Sequence, residues 1–426
     1  MSLQQQVKSV SSGNPLQKLQ GIEKKRVLRH FNSELASYSS SNSTEVIIDI
    51  STPRELLDFN NGYLIFDIIS TGTPTGGSTG VLIYNQWAAS SWIREMRIED
   101  RSGRQIGKSV NYYNGLVRLE YEMKSNNEVN TSYLGRLEGA TMFADATVAT
   151  TKIQFAHRFL SHIFTSPDYF PNFALSGLRI ILTMEDAANV VRSSGDRTAI
   201  TSPEYTVSNL TYACDVVELM PTGMKTVMAG LNNGGLDIDY VRTHSRRTTQ
   251  MVDTQQFKVG VIDGAIKNVQ MLSILDTVRD GVIEDFWASF ALNNLTSYRF
   301  FLNNKPLTDK RINISATRLA EYVVEYVKSQ RINLDQLVFG GSLLALASKV
   351  VIGSRFDRST NDDVISSLRD EDNNEIEVEV EFSSTGAAAT TYFYVLTDQR
   401  VKVKSNRVFV DVAVKPQMAN LSTMSS

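Results

Sequence analysis

The chain has 426 residues, of which 42% are hydrophobic and 21% are charged, and its formal net charge is −3. This length exceeds what one hydrophobic core usually supports and predicts two domains, with enough apolar surface for both cores without disulfides or metal. The charge balance argues against nucleic-acid binding by the body of the protein, which would require a basic patch or stripe. A single cysteine, Cys214, excludes an intramolecular disulfide framework, and its alternating surroundings predict a small buried side chain.

The N-terminal segment predicts an arm ahead of the folded body. Residues 1–14 are polar, without the apolar run of a signal peptide, so we expect synthesis without a secretory signal. Residues 15–31 predict a basic amphipathic helix, which could dock on its own domain, a partner or an anionic membrane. Its apolar face consists of Leu16, Leu19, Ile22, Val27 and Phe31. The Ser/Asn-rich residues 37–44 predict a linker, so we assign 1–44 to an N-terminal arm.

Residues 45–218 are predicted to form the first domain, because short β-type runs dominate them. These runs are 46–50, 63–69, 93–99, 178–184 and 205–217. A turn at Ser102-Gly103 follows the third run and gives a hairpin signal. Residues 70–80 have almost no apolar content and predict a surface loop.

A breaker-rich segment, 219–247, is predicted to link this domain to a second one at 248–416, followed by a tail at 417–426. The predicted strands of the second domain are 256–262, 266–275, 298–302, 350–356, 375–382, 391–396 and 407–414. Residues 375–382 alternate glutamate with apolar residues, which predicts one wet and one buried face. Residues 316–328 have helical spacing. The longest apolar stretches, such as 343–352, are shorter than a membrane span, and we expect a soluble protein.

The two blocks have similar length and layout, which suggests duplication. Many short strands with long connections favour a β-sandwich or jelly roll over a hairpin-only barrel. The predicted fold class is therefore all-β with a few inserted helices, arranged as two tandem jelly-roll β-sandwiches.

Motifs that could carry chemistry are weak. Residues 103–109 resemble a phosphate-binding loop, but three residues instead of four separate the glycines, so a hairpin is the better interpretation. Residues 370–375 lack the glycine and the bidentate glutamate of a calcium loop and predict a solvated hairpin tip. Cys214 has no nearby histidine in sequence, which leaves nucleophilic catalysis without a positive signal.

The histidines do not have metal-ligand spacing, and we predict that each is a surface or capping residue. They are His30, His157, His162 and His244. We therefore predict no catalytic, cofactor-binding or metal-binding residues, no cofactor, and a protein that is not an enzyme.

The order of elements resembles that of the double jelly-roll major capsid proteins of tailless icosahedral DNA viruses, which include membrane-containing phages, virophages and polinton-like viruses. Four passages within residues 45–416 carry this resemblance: the strand and turn at 88–103, the proline-containing loop at 164–171 before strand 178–182, the closing strand at 205–212, and the strand and turn at 298–307. The upstream arm departs from the pattern because it is short and carries only a modest basic helix.

The resemblance implies a capsid protein of the virion that self-assembles as pseudo-hexagonal homotrimers, which tile an icosahedral shell around the genome. Buried apolar area between subunits would drive this assembly. Partners would be other copies, neighbouring capsomers, and penton or minor capsid proteins, with an internal membrane or the genome as candidate contacts of the arm. Loops 70–80 and 383–390 would face outward or lock neighbours, and the polar termini would order on assembly.

Two alternatives remain at this point. One is a trimeric β-sandwich binding module, lectin-like or receptor-binding, in which Tyr112 and Tyr113 would lie in an exposed groove. The other is an enzyme on a β-sandwich scaffold, which needs an acidic pair or a metal cluster in a pocket.

Overall fold

The computed structural model describes residues 23–74, 81–84, 88–124, 137–138, 153–194, 200–250, 254–262, 265–275, 295–314, 320–329, 352–356, 374–382, 389–405 and 407–412. Within these ranges the chain is mostly β-structure with short helices, as predicted. The predicted termini, residues 1–14 and 417–426, lie outside the described residues.

The first half of the chain contains eleven strands among its described residues. They are β1 (Glu23–Asn32), β2 (Ser37–Ser39), β3 (Glu45–Ile50), β4 (Leu56–Pro74), β5 (Val81–Tyr84), β6 (Ile93–Asp100), β7 (Val110–Asn111), β8 (Ile153–His157), β9 (Leu178–Met184), β10 (Val191–Ser194) and β11 (Ile200–Leu219). Three helices accompany them: α1 (Ala88–Ser91), α2 (Tyr113–Lys124) and α3 (Ala187–Val190). Two 3-10 turns, Ile163–Thr165 and Asn172–Leu175, lie between β8 and β9.

The second half repeats this composition after helix α4 (Pro221–Asn233). Its strands are β12 (Leu236–Gln250), β13 (Thr254–Ile262), β14 (Ala265–Leu275), β15 (Leu295–Leu302), β16 (Lys305–Pro306), β17 (Ile312–Asn313), β18 (Ile352–Arg355), β19 (Asn374–Phe382), β20 (Ala389–Lys404) and β21 (Arg407–Val412). Helix α5 (Ala320–Ser329) bears out the helix expected at 316–328, of which 316–319 lie outside the described residues.

Each half consists of two main antiparallel sheets. In the first half their strand orders are β1-β11-β4-β8 and β3-β9-β6-β7, and β5 and β10 form a small ribbon. In the second half the corresponding orders are β12-β20-β14-β18 and β13-β19-β15-β16. Aromatic pairs connect the two sheets of each half. The ring centroids of Phe66 and Trp92, which directly precedes β6, are 5.4 Å apart, and those of Phe257 and Phe393 are 5.6 Å apart. The two sheets therefore enclose an apolar core in each half.

The chain visits its sheets in the same sequence in both halves. Each half has a shared set of eight strands, to which β2, β5, β10, β17 and β21 are additions. In chain order, the eight strands of both halves lie in the first, second, first, second, second, first, second and first sheet. A helix follows the fifth of these strands in each case, α2 in the first half and α5 in the second. The two halves are therefore topologically equivalent, in agreement with the similar layout predicted for them.

Two segments differ from their sequence-based predictions. The helix predicted at 15–31 is wrong where the structure describes it, because Glu23–Asn32 is strand β1, paired with β11 through Val27 and Val216. Residues 15–22 lie outside the described residues. The linker predicted at 37–44 includes β2, whose Tyr38 is 2% exposed. Val27 and Phe31 are four residues apart and therefore share one face in a helix and in a strand, and the hydrogen bonds to β11 favour the strand.

The first strand of each half lies inside a segment that we predicted to be an arm or a linker. Strand β1 falls within 1–44, and residues 219–247 contain α4 and most of β12. The loop predicted at 70–80 is also partly strand, because β4 continues to Pro74, opposite Ile200; residues 75–80 lie outside the described residues. Of the loop predicted at 383–390, the last two residues begin β20 and the rest lies outside the described residues.

The alternation of glutamate and apolar residues predicted for 375–382 is present in β19, but the glutamate face is not uniformly exposed to solvent. Glu377 is 3% exposed, and its carboxylate accepts a hydrogen bond from Gln256 and pairs with Lys258 at 3.1 Å. Arg311 pairs with the next two glutamates at 2.6 and 2.8 Å. Cross-strand partners therefore cover much of this face.

Candidate functional site

Three of the four histidines are buried or largely buried and are not surface residues as predicted; only His30, on β1, is exposed. His162 occupies the N-cap position of the 3-10 turn Ile163–Thr165, but its side chain makes no capping hydrogen bond. His157 and His162 are 0% exposed, and burial lowers the pKa of His244 well below its usual value. A buried imidazole requires hydrogen-bond partners, and two distinct clusters supply them.

The first cluster is a buried chain of three side chains inside the first half. Glu138 Oε2 lies 2.7 Å from His157 Nδ1, and His157 Nε2 lies 3.0 Å from the hydroxyl of Tyr113. The Tyr113 hydroxyl also accepts the backbone N–H of Leu160 at 3.0 Å, and Glu138 accepts the N–H of Arg158 at 3.1 Å. An acid–base chain of this kind could move a proton, but its three side chains are fully buried, so no substrate reaches them in this conformation.

The second cluster joins the two halves along the edge strand β12. His162 donates its backbone N–H to the carbonyl of Val241, and Thr165 Oγ1 accepts the Val241 N–H at 2.9 Å. Ser161 Oγ accepts the N–H of Thr243 at 3.2 Å. Residues 161–165, which lie between β8 and β9, therefore satisfy backbone groups of β12 that β20 does not reach, and they cover this sheet edge. We refer to residues 161–165 and 240–244 as the junction.

His162 is the most constrained residue of the junction. Its φ of 62° and ψ of −154° lie in a region that glycine almost alone occupies, so the surrounding contacts must hold it there. Its Nε2 donates to the carbonyl of Lys108 at 2.8 Å, and its ring stacks on Tyr240 with 6.3 Å between centroids. Its Nδ1 has no hydrogen-bond partner among the described residues. Burial, partly opposed by the Lys108 carbonyl and aided by Arg242, lowers the pKa of His162 to about 4.

The predicted groove aromatics also belong to buried contacts. Tyr113 is fully buried in the first cluster, and Tyr112 packs edge-on against Tyr392 with 5.2 Å between ring centroids. The carbonyl of Tyr112 accepts the hydroxyl of Tyr394 at 3.0 Å. These tyrosines therefore connect the two halves and do not line an exposed groove.

The loop at 103–109 is a turn between β6 and β7, as predicted. Gly103 and Gly107 have φ values of 80° and 77°, and Asp100 Oδ1 accepts the N–H groups of Ser102 and Arg104. The Asp100 carboxylate thus accepts hydrogen bonds from backbone amides that a bound phosphate would need.

Cys214 is fully buried, as predicted, and burial raises the pKa of its thiol. Of the acidic run at 370–375, only Asn374 and Glu375 are described, at the start of β19.

No group of three or more potential metal ligands is found among the described residues. In the same part of the chain, no helix is both long and apolar enough to cross a membrane.

The sequence matches no family model and no curated protein. The structure, however, is similar to several solved viral capsid proteins. PBCV-1 VP54, whose crystal structure was fitted into a cryo-EM reconstruction of the virophage Sputnik, matches with a TM-score of 0.61 at 10% identity, over 92% of this chain and 97% of that one. The mavirus major capsid protein matches with a TM-score of 0.54 at 10% identity, over 94% and 92%. The Faustovirus major capsid protein matches with a TM-score of 0.58 at 7% identity, over 89% and 90%.

The chain has the double jelly-roll fold. Coverage of nine tenths or more of the solved chains means that the likeness includes both rolls, and the equivalent strand orders of the two halves agree with it. Sequence reasoning anticipated this fold from layout, but it missed the junction, because none of the bonds from residues 161–165 to β12 leaves a local sequence signature.

The two rolls of the double jelly roll differ at their equivalent edge strands. In the second roll, the junction covers the edge strand β12. In the first roll, no strand among the described residues pairs with the outer edge of β1. Two neighbouring apolar residues of β1 are also exposed, Val27 at 40% and Leu28 at 56%. An uncovered edge strand with exposed apolar side chains is a candidate assembly surface.

Proposed function

We propose that this protein is a major capsid protein that assembles as homotrimers, and that these build the icosahedral shell of a virion around its genome. The observation that carries the proposal is the unequal state of two equivalent strands: the junction covers β12, whereas no strand in the described part of the chain pairs with the outer edge of β1. The role is structural and non-catalytic. The solved capsid proteins of the same fold support a capsid role.

The internal junction suggests how copies would meet. The first roll covers β12 with the connection between β8 and β9. The counterpart of that connection in the second roll lies between β18 and β19, and its residues 357–373 lie outside the described residues. If the second roll of one copy covers β1 of the next copy in the same way, each copy offers one open edge and one covering connection. Such a head-to-tail contact closes into a ring, and three copies provide six rolls for a pseudo-hexagonal outline.

We also propose that the two rolls are the domains of the chain, at residues 23–219 and 236–412, with α4 between them. The division differs from the one predicted from sequence by β1 and β2 at the start of the first roll and by most of β12 at the start of the second. Strands β1 and β12 support this change, since each hydrogen-bonds to the last long strand of its own half. Penton or minor capsid proteins and an internal membrane remain proposed partners of the assembled shell.

The first experiment measures the native mass of the purified protein by light scattering, with negative-stain imaging of the main peak. We expect three times the chain mass of 47.5 kDa and a hexagonal outline. A stable monomer at all concentrations and ionic strengths would contradict the proposal.

A substitution on β1 tests the proposed contact itself. Leu28→Glu places a charge on the open edge, where Leu28 is 56% exposed, so we expect the folded chain to persist and the trimer to dissociate. Leu137→Glu, at a leucine that is 46% exposed and outside β1, is the matched control and should remain trimeric. Equal loss of trimer in both variants would show that β1 is not the contact.

A further inference from the structure

A stripe of three methionines runs along helix α4 from its N-cap residue, Met220, and the outer two methionines are exposed in the described part of the chain. Met220, Met224 and Met228 are spaced by four residues and therefore lie along one side of the helix. Met220 is 44% and Met228 is 42% exposed, and Met224 is half-buried. Methionine side chains are flexible and polarizable, and they adapt to varied apolar partners.

The stripe borders the buried side of the helix. Val227 and Leu231 are buried, and the carbonyl of Leu231 accepts the N–H of Ser405 at the end of β20. Gly230 packs against Leu236 so closely that a Cβ at this position would lie 2.5 Å from the Leu236 Cδ2. The C-terminal half of α4 is therefore fixed on the second roll, and the exposed Met220 and Met228 lie beside that contact.

The chain before β1 enters the structure next to this stripe. Glu23 lies opposite Leu219 in the β1–β11 ladder, and Lys24 pairs with Glu218 at 2.7 Å. Because the two strands are antiparallel, the residues before Glu23 leave the sheet at the end where β11 passes into Met220 and α4. The segment that arrives there, residues 15–22, has apolar residues at every third position: Leu16, Leu19 and Ile22.

We propose that residues 15–22 of the same chain lie along the methionine stripe of α4, with their leucines and isoleucine against the methionines. The distances are compatible with this contact. Met220 to Met228 spans about 12 Å along the helix axis at about 1.5 Å per residue. Eight residues cover about 12 Å if helical and about 26 Å if extended, so either conformation reaches the whole stripe from Glu23.

The position of the other terminus favours the N-terminal segment as the occupant. Strand β21 runs antiparallel to β20, and Val412 lies opposite Arg400, so the chain after β21 leads away from the end of β20 that contacts α4. A segment tethered one residue from the stripe also has a much higher effective concentration than a second copy. The contact lies within one chain, so it goes beyond the proposed assembly, and its absence would leave the capsid proposal unaffected.

Paired cysteines in the full-length protein test the contact. Leu19→Cys is combined in turn with Met220→Cys, Met224→Cys and Met228→Cys, and with Thr226→Cys, which lies on the opposite, exposed side of α4. The native Cys214 is fully buried and burial raises the pKa of its thiol, so it does not compete. We expect an intrachain disulfide with at least one methionine position, formed about tenfold faster than with position 226.

Three results would overturn the proposal: no disulfide at any stripe position, equal rates at the stripe and at position 226, or disulfides that link two chains. The last result would assign the segment to another copy. Non-reducing electrophoresis distinguishes intrachain from interchain bonds, and peptide mapping identifies the residues joined.

Limited proteolysis tests the same proposed contact independently of the cysteine pairs. Trypsin cleavage after Lys18 should be slow in the native protein, and the triple variant Met220→Ser, Met224→Ser and Met228→Ser should accelerate it. The matched control, Thr222→Ser with Thr226→Ser on the exposed side, should leave the rate unchanged. Fast cleavage in the native protein that slows only when vesicles of phosphatidylcholine and phosphatidylserine are added would overturn the proposal in favour of a membrane occupant.

Discussion

At the scale of single residues, His162 makes the stability of the chain sensitive to acid. Burial lowers its pKa to about 4, and Arg242 and His244 face it across the junction. The unfolded chain therefore binds a proton at higher pH than the folded chain does. The contribution of His162 is complete above about pH 6.5 and is lost progressively toward pH 4, and the expected loss between pH 7 and pH 5 is about 2 kcal/mol.

Urea unfolding at pH 7 and at pH 5 measures this loss. His162→Gln should reduce the difference between the two free energies of unfolding, because glutamine does not titrate in this range. His30→Gln is the control, since His30 is exposed on β1 and should leave the difference unchanged. An identical pH dependence in all three proteins would contradict the assignment.

Gly62 is required by the packing of Tyr212. A Cβ at this position would overlap the Tyr212 hydroxyl and lie 2.5 Å from the Tyr212 Cζ. Gly62 and Tyr212 are both buried. We expect Gly62→Ala to cost about 1–3 kcal/mol of unfolding free energy. In the background of Tyr212→Phe, which removes the overlapping oxygen, the same substitution should cost less, and a double-mutant cycle by chemical denaturation measures the difference. Additive costs would show that the hydroxyl is not responsible.

At the scale of elements, β19 contains glutamates of unequal importance despite their regular spacing. Glu377 is 3% exposed and holds Gln256 and Lys258, whereas Glu379 pairs with the 41% exposed side chain of Arg311. We expect Glu377→Ala to destabilise the chain by about 1–3 kcal/mol, because it removes a nearly buried side chain together with the charge-assisted hydrogen bond that its carboxylate accepts from Gln256. Glu379→Ala should cost less than about 1 kcal/mol, as for exposed ion pairs. Similar costs, measured by thermal or urea unfolding, would contradict this ranking.

Some sequence patterns were sufficient to predict the secondary structure of the elements that contain them, and others were not. The strict alternation of β19 and the turn at Ser102-Gly103 identified their structures, because each depends on neighbours in the chain. The basic segment before Phe31 was misassigned because its apolar spacing fits a helix and a strand, and only pairing with β11 distinguishes them. Strand β12 was missed because Asn233-Gly234-Gly235 is typical of a linker. Leu236, Ile238 and Tyr240 nevertheless lie at every second position of this strand and are buried.

At the scale of the whole molecule, the junction is a contact that no local pattern could predict. Thr165 Oγ1 accepts the N–H of Val241 and donates to the carbonyl of His162 at 2.8 Å. Thr165→Val keeps the shape of the side chain but removes both bonds, so we expect a loss of about 1–3 kcal/mol. Thr226→Val, at an exposed position on α4, is the control and should change the free energy of unfolding by less than about 0.5 kcal/mol. A loss no larger than that of the control would mean that the junction does not stabilise the chain.

The fold was accessible from sequence because a jelly roll depends on many short strands in a recognisable layout. The buried chain of Glu138, His157 and Tyr113 was not accessible, since its members are far apart in sequence and meet only in the folded chain. The same is true of the difference between the two edge strands, which depends on where residues 161–165 lie in space.

The junction also fixes the angle between the two rolls, which has a consequence for curvature. In a head-to-tail assembly, the rotation at each contact is repeated around the axis, and the contacts close only when the rotations add to a full turn. If copies meet as the two halves of one chain do, the bonds from Thr165 and Ser161 to β12 help to set that rotation. A small change of angle at this place, with both rolls intact, would then convert closed rings into open-ended polymers.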